Sequence, residues 1–453
     1  MDSFSIRNFG CRVNQAEGFG WAHEFQKRGL RHEENAGRGG LVIVNTCTLT
    51  GRADRDARKF IRKVLRENPS AKVVVTGCLA ERDPREFEAL PGIWKVVPNR
   101  EKDALPGRLF PGAASRVTDD IRTVRARAYL KVQDGCDWAC AFCVIPSVRR
   151  RSSSVPGDEI LSRVRDLAGL GFREIVLTGI HLCSYGNDLR PRSSLEGLLG
   201  RIEDIPGDFR VRLSSLDPRL LPQPLLERLT SSPKICPHFH LALQHGSDEV
   251  LRAMGRNSTA SQYREIMEYF SRAAPQAALG ADVIVGFPGE TDDDFRATED
   301  FLAAAPLAYV HVFSYSPRPG TAAFSLPPVD DKTKRMRAVR LRDLSKRKNL
   351  EFRKRFSGDV LDGVVIRTRG ANVEVLTPNY VAVKTPPSEV RKGDGVRVKI
   401  TEVRERETLG EIIPNKKCHP ERSEGSRPTP RVPSQGSGRL KESPERSEGS
   451  RPT

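Results

Sequence analysis

At 453 residues the chain is long enough for two or three domains, since a single core stops growing at roughly 250–300 residues. Nine cysteines, an odd number, and an opening "MDSFSIRNFG" with neither a basic nor an apolar leader region argue against a secreted disulfide framework and for a reducing cytoplasm. The formal net charge of +17 points to a polyanionic partner, nucleic acid before membrane, and no apolar run approaches the roughly 18 residues that would span a bilayer.

Residues 1–115 alternate strand-like and helix-like segments: strand 4–10, helix about 15–29, strand 41–47, helix about 52–67 and strand 72–77. That order predicts βαβ crossovers and a parallel sheet, an α/β domain whose strand carboxyl ends share one ligand-binding edge. "FSIRNFGC", "LVIVNTC" and "AKVVVTGC" each end on a cysteine, so Cys11, Cys47 and Cys78 are expected to converge although 36 and 31 residues separate them. A lone cysteine reads as a small buried hydrophobe, whereas three at equivalent strand ends predict a thiolate-ligated metal centre. A Rossmann dinucleotide site is excluded, because "FGCRVNQAEG" lacks G-x-G-x-x-G.

A second βα series occupies 122–350, with strands near "AYLKVQD", "EIVLTG", "RVRLSS", "HFHLALQ", "ADVIVGF" and "YVHVFSY". Helical periodicity lies between them, as in the stripe Ile160, Val164, Leu167 and Leu170. Six such strands predict a partial (β/α)6 barrel with its chemistry in the loops after the strands. Directly after the first strand, "QDGCDWACAFC" sets Cys136, Cys140 and Cys143 in a C-x3-C-x2-C spacing. Three thiolates can hold three irons of a [4Fe–4S] cluster and leave the fourth open to a substrate. A zinc knuckle is the alternative, but closed zinc sites want a fourth ligand. His238 and His240 alternate on a strand and are expected to line the barrel rather than bind zinc with His245.

From Asp331 to Phe356 twelve Lys/Arg stand against three Asp/Glu, a net +9. A solvated helix face is the ordinary reading of such a run; its density favours nucleic-acid contact, with Arg353, Lys354 and Arg355 as expected RNA contacts. "GDVLDGVVIR", "ANVEVLT", "NYVAVKT", "VRVKITEV" and "TLGEII" then read as five short strands of a small OB-like β-barrel over 352–414, an architecture often used to hold oligonucleotides. Beyond it "PERSEGSRPT" occurs at 420–429 and again at 444–453, and so polar a composition predicts a disordered tail, 415–453, with Cys418 incidental.

The cysteine spacing, with Phe142 before its last cysteine, resembles the radical S-adenosylmethionine (SAM) superfamily. With "GCRVNQ", "VNTCTLTGRADRDARKFIRK", "VVTGC", "KVQDGCDWACAFCVIP", "EIVLTGIHLCSYGNDL", "CPHFHLALQHGSD" and "DVIVGFPGETDDDF", the chain resembles the methylthiotransferase family. Within it the likeness is to enzymes that act on N6-threonylcarbamoyladenosine in tRNA. The resemblance covers residues 4–414, and the last barrel is similar to the family's TRAM RNA-binding domain. It implies transfer of a methylthio group to C2 of that nucleoside at position 37 of tRNA. The same chemistry on N6-isopentenyladenosine or on an aspartate of a ribosomal protein is the alternative, and a non-catalytic zinc- and RNA-binding protein the remote one.

The resemblance further implies two [4Fe–4S] clusters and SAM as cofactors. Cys136, Cys140 and Cys143 would hold the cluster that binds SAM and cleaves it reductively to a 5′-deoxyadenosyl radical, while Cys11, Cys47 and Cys78 would hold a second cluster that delivers methylated sulfur. No side chain is expected to act as general acid or base, because the C2–H of adenine is beyond ordinary side-chain catalysis and a cofactor must carry the step. By resemblance Phe142 lies against the SAM adenine, Thr178 and Gly179 near its amino group, and Asp282, Gly286 and Glu290 along its ribose side. Three positions depart from the family: His245 where Ser is common, "VIPSVRRRSSS" without the usual Arg-Gly step, and Cys183 where Gly is common. The first two bear on substrate preference, and Cys183 is a candidate oxygen-sensitive thiol. A reducing electron donor and a sulfur donor are implied as partners, and a cytoplasmic monomer is expected.

Overall fold

The β-branched runs of the amino-terminal region form a fully parallel sheet because both of its faces are covered. Strands β1 (Ser3–Asn8), β2 (Arg31–His32), β3 (Leu41–Thr46), β4 (Lys72–Gly77) and β5 (Ile93–Val97) lie in the order β2-β1-β3-β4-β5. This is seen in the computed structural model, which describes residues 2–35, 37–111, 125–149, 151–369 and 372–413; the tail 415–453 with Cys418 lies outside the described residues. Strand alternation sends Leu41, Ile43 and Val74 against Trp21 and Phe25 of helix α1 (Arg12–Lys27). Val42, Val44, Val73 and Val75 point the other way, against Ala57, Ile61 and Val64 of α2 (Gly51–Glu67). The edge strands β2 and β5 lie outside the sequence expectation, being short or interrupted by polar residues. Helix α1 starts earlier than expected, because Cys11 has an extended backbone (φ −76°, ψ 173°) and caps it.

The next six long strands make the partial barrel. Parallel β6 (Ala128–Lys131), β9 (Glu174–Thr178) and β10 (Arg210–Leu213) form one half, and β11 (His238–Gln244), β12 (Ala278–Val285) and β13 (Tyr309–Ser314) the other. Bridges Val211–Ile235 and Leu216–Leu241 join the halves. A short antiparallel pair, β7 (Gln133–Asp134) and β8 (Ser153–Ser154), clamps the base of the loop that carries Cys136, Cys140 and Cys143.

Strands β14 (Val360–Arg369), β15 (Asn372–Leu376), β16 (Ala382–Thr385), β17 (Gly395–Val403) and β18 (Thr408–Ile413) close a small barrel in the order β14-β15-β16-β18-β17. Its core of Val365, Val375, Val383, Val398 and Ile400 also takes in Phe352 and Phe356, from the end of the long basic helix Asp331–Lys354 and just beyond it. The described residues pack as one unit, and no described helix is long and apolar enough to cross a membrane.

This docking corrects the expected RNA contacts. Arg353 is buried, and its guanidinium donates to the carbonyls of Arg404, Glu405 and Glu407 at 2.7–3.0 Å, the turn between β17 and β18. It therefore staples the small barrel to the helix. Arg355 donates to the Pro275 carbonyl and lies over the Phe352 and Phe356 rings, whereas Lys354 is exposed. Several other cations of the run are also engaged: Arg337 with Glu290 and Asp292, Arg340 with Glu299, and Lys348 with the carbonyls of Ala303 and Ala305. Arg353→Ala should accordingly cost about 1–3 kcal/mol of stability by removing a buried guanidinium's charged hydrogen bonds to three partly buried carbonyls. The thermal midpoint will fall while the salt dependence of tRNA binding stays unchanged.

Candidate active site and metal centres

The first cysteine set is assembled by turns at the carboxyl edge of the amino-terminal sheet. Gly10 (φ +82°) precedes Cys11 and packs so closely on Cys47 that a Cβ there would lie 2.3 Å from the Cys47 Sγ. Cys47 follows β3 directly, and Cys78 opens the short helix α3 (Cys78–Arg82) after Gly77, whose φ of +96° and contact with the Thr46 carbonyl exclude a side chain. Burial raises the Cys47 thiol, and its neighbours Cys11 and Cys78 raise it further; burial likewise raises Cys11, with Arg149 opposing. Cys11 and Cys47, whose thiols resist ionisation, become thiolates when a metal supplies the positive charge. Donors already face these sulfurs: the Leu49 N–H on Cys47 at 3.5 Å, and Arg149 Nε and Asn99 Nδ2 on Cys78 at 3.3 and 3.8 Å. The donor set fits an iron–sulfur cluster.

Behind this set stands a buried hub that sequence reading missed. Arg149, inside the "VIPSVRRRSSS" departure, donates to Asn14 Oδ1 (2.6 Å), Asp134 (2.5 Å) and Glu17 (3.2 Å) as well as to Cys78. Lys102 meets Glu17 at 2.8 Å. Burial alone would raise the Glu17 carboxyl; Lys102, then Arg149 and Lys131, override it and hold it at about 2. The resulting stabilisation is complete above the ordinary carboxylate value of about 4.5 and is lost as pH falls towards 2.

The second set lies across a shared cavity. About 360 Å³ in volume, it is lined by Cys136, Cys140 and Cys143 and also by Cys11 and Arg12. Burial pushes the Cys143 thiol up to about 12 and raises Cys136, so here too a metal must supply the charge. Three cysteine ligands with an open cavity beside them fit a cluster with one free iron, and the mixed walls fit a ligand of nucleoside size.

The structure separates the expected cofactor contacts. Phe142, Gly179 and Asp282 line the cavity. Thr178 does not: it is buried, and its hydroxyl donates to the Leu130 carbonyl within the sheet. Gly286 (φ +72°) lies against Lys334, and Glu290 accepts from the N–H groups of Gly286 and Phe287 while pairing with Arg337 at 3.1 Å. Both brace the turn after β12 and neither lines the cavity. His238 and His240 do line the barrel interior, bonding the Tyr309 hydroxyl at 2.7 and 3.0 Å, and His240 also meets Asp282 at 2.8 Å. His245 lies elsewhere, buried against Thr298, and Cys183 accepts from the Asp217 N–H.

A polar cluster on the cavity wall was also missed. Asp217 receives Arg219 at 2.6 and 2.9 Å, Arg256 at 3.3 Å and His181 at 3.3 Å, and Trp138 stacks on Arg219 at 4.1 Å. Burial alone would raise the Asp217 carboxyl; Arg219, His181 and Arg256 override it and hold it well below the usual range. The available signal was position: "SSLDPRL" follows a barrel strand, where the chemistry of such barrels is built.

Comparison with known proteins agrees with this arrangement. Residues 130–302 match the Radical SAM superfamily, and residues 3–97 match the family described as Uncharacterized protein family UPF0004. The Threonylcarbamoyladenosine tRNA methylthiotransferase MtaB of Aquifex aeolicus is 36% identical over 398 residues, 84% of this chain and 96% of that protein. Its namesakes from Bacillus subtilis and Chlamydia pneumoniae are each 32% identical, covering 88% and 91% of this chain and 94% and 98% of their own. Among solved structures, the radical S-adenosylmethionine methyltransferase TsrM from Kitasatospora setae, bound to tryptophan and a SAM analogue, shares the fold at TM-score 0.51 and 14% identity, over 71% of this chain and 74% of that one. The chain belongs to the threonylcarbamoyladenosine tRNA methylthiotransferases of the radical SAM superfamily.

Proposed function

We propose that this chain transfers a methylthio group to C2 of N6-threonylcarbamoyladenosine at position 37 of tRNA, using SAM and two [4Fe–4S] clusters. The observation that carries the reading is the single cavity shared by Cys11 of the first cysteine set and by all three cysteines of the second. When bound, the clusters and SAM supply the reductive radical chemistry and the methylated sulfur that no side chain offers. The chain's own residues provide the frame. Cys11, Cys47 and Cys78 would hold one cluster and Cys136, Cys140 and Cys143 the other, while Leu49, Asn99 and Arg149 donate to sulfur and offset thiolate charge. Phe142 and Gly179 wall the SAM pocket, and Asp217 fixes Arg219 and Arg256 beside it. The small barrel and the exposed cations of the basic helix, Lys332, Arg335, Arg347 and Lys354, would hold tRNA phosphates. Replacing these four by alanine should lower the slope of log affinity against log salt by roughly one for each phosphate no longer neutralised.

Nucleoside mass spectrometry of tRNA from cells with and without the gene tests the reading. The 2-methylthio derivative of N6-threonylcarbamoyladenosine should disappear with the gene, leaving the parent nucleoside. A methylthio group lost from N6-isopentenyladenosine instead would overturn it.

A further inference from the structure

Arg12 stands out among the cations of the central cavity. Three arginines line that cavity. Arg219 and Arg256 share the carboxylate of Asp217. Arg12 has only neutral partners among the described residues: Nη1 donates to the Tyr129 hydroxyl at 3.3 Å and Nη2 to the Tyr380 hydroxyl at 2.8 Å. The other buried arginines nearby follow the common pattern, Arg149 facing Glu17 and Asp134, and Arg127 and Arg212 facing Glu174. A half-buried cation at the border of a cavity, hydrogen-bonded to hydroxyls alone among the described residues, lacks its counter-ion.

The device that aims Arg12 reaches across the molecule. Tyr380 belongs to the turn between β15 and β16 of the small barrel, and its backbone has a φ of +67°. A bulky residue in that left-handed region persists only where its surroundings hold it. Here the ring is stacked on His238 at 4.1 Å, with the Arg212 guanidinium over it at 5.0 Å. The small barrel thus contributes a side chain that, without lining the cavity itself, orients Arg12 at its edge. Arg12 itself follows Cys11, so whatever it binds is placed beside the first cysteine set.

We propose that Arg12, oriented by Tyr129 and Tyr380, takes the carboxylate of the threonylcarbamoyl group and so selects this nucleoside over adenosines whose N6 substituent is uncharged. This rests on the functional reading above. The planar guanidinium fork matches a carboxylate with two parallel hydrogen bonds, and the charged pair forms only when the right nucleoside arrives. An adenosine without the carboxylate leaves Arg12 unpaired in a site closed off by the substrate, which is how a polar site rejects an analogue.

Equilibrium binding by the cluster-loaded full-length enzyme tests this, using one tRNA sequence with either N6-threonylcarbamoyladenosine or plain adenosine at position 37. Wild type should prefer the modified tRNA. Arg12→Gln should erase that preference, about 10- to 100-fold, with the plain tRNA bound as before, and Arg12→Lys should keep part of it. Tyr380→Phe, which leaves the Cys11 turn untouched, should lose a smaller share and decides the matter if Arg12→Gln fails to load iron. If Arg12 instead met an RNA phosphate, both tRNAs would weaken equally. If it met the SAM carboxylate, SAM affinity would fall and the preference would survive. Either result, or full preference retained in both variants, overturns the proposal. A wild-type enzyme with no preference and no methylthiolation of the modified tRNA overturns the functional reading itself.

Discussion

Replacing Cys11, Cys47 and Cys78 together by alanine will lower the iron content from about eight to about four atoms per chain, since each cubane carries four. Reductive cleavage of SAM will continue, because Cys136, Cys140 and Cys143 stand on a separate loop clamped by β7 and β8. No methylthio product will form. The reverse triple variant, with Cys136, Cys140 and Cys143 replaced, will also hold about four irons but will not cleave SAM. The two variants therefore fail at different steps although Cys11 of the first set borders the cavity of the second. Iron and sulfide analysis, 5′-deoxyadenosine release and nucleoside mass spectrometry on the same preparations separate these outcomes. A first variant that retains all its iron and still makes product would reduce the strand-end cysteines to core residues.

The cysteine geometry was legible because it follows from two short-range facts: runs such as "LVIVNT" are parallel strands, and parallel strands present their carboxyl ends together. The same reasoning located the loop after β6 and the five strands of the small barrel. What it missed depends on pairings between residues far apart in sequence. Arg149 and Asn14 are 135 positions apart, and Arg12 and Tyr380 are 368 apart. Nothing local in "RNFGCRV" or "TPNYVAV" announces such a pair. Arg353 was misread for a related reason. A run of cations looks like a solvated or RNA-facing surface, yet the carbonyls that bury Arg353 come from a turn about fifty residues later. Thr178 and Glu290 sit on the right elements, but strand alternation and a turn cap point them away from the cavity.

Arg149→Met should show how far the first cysteine set depends on the seam between the amino-terminal sheet and the barrel. The substitution keeps the volume and removes a cation that faces Glu17, Asp134, Asn14 and Cys78. Breaking a buried pair from one side commonly costs about 3–5 kcal/mol. Lys102 and Lys131 remain beside Glu17 and Asp134, two cations for two carboxylates, so the loss should fall near the lower end of that range. The sulfur side has no such reserve. Among the described residues Cys78 keeps only the longer hydrogen bond from Asn99, and the thiolates lose the Arg149 charge that opposes their repulsion. Iron bound by this set should therefore become labile to chelator while the iron on Cys136, Cys140 and Cys143 persists. Arg149→Lys restores the charge but cannot reach four partners from one ammonium, so both the denaturation midpoint and chelator resistance should rank wild type, then Lys, then Met. Equal midpoints and equal iron retention across the three proteins would mean that the cysteine set is held by its own sheet alone.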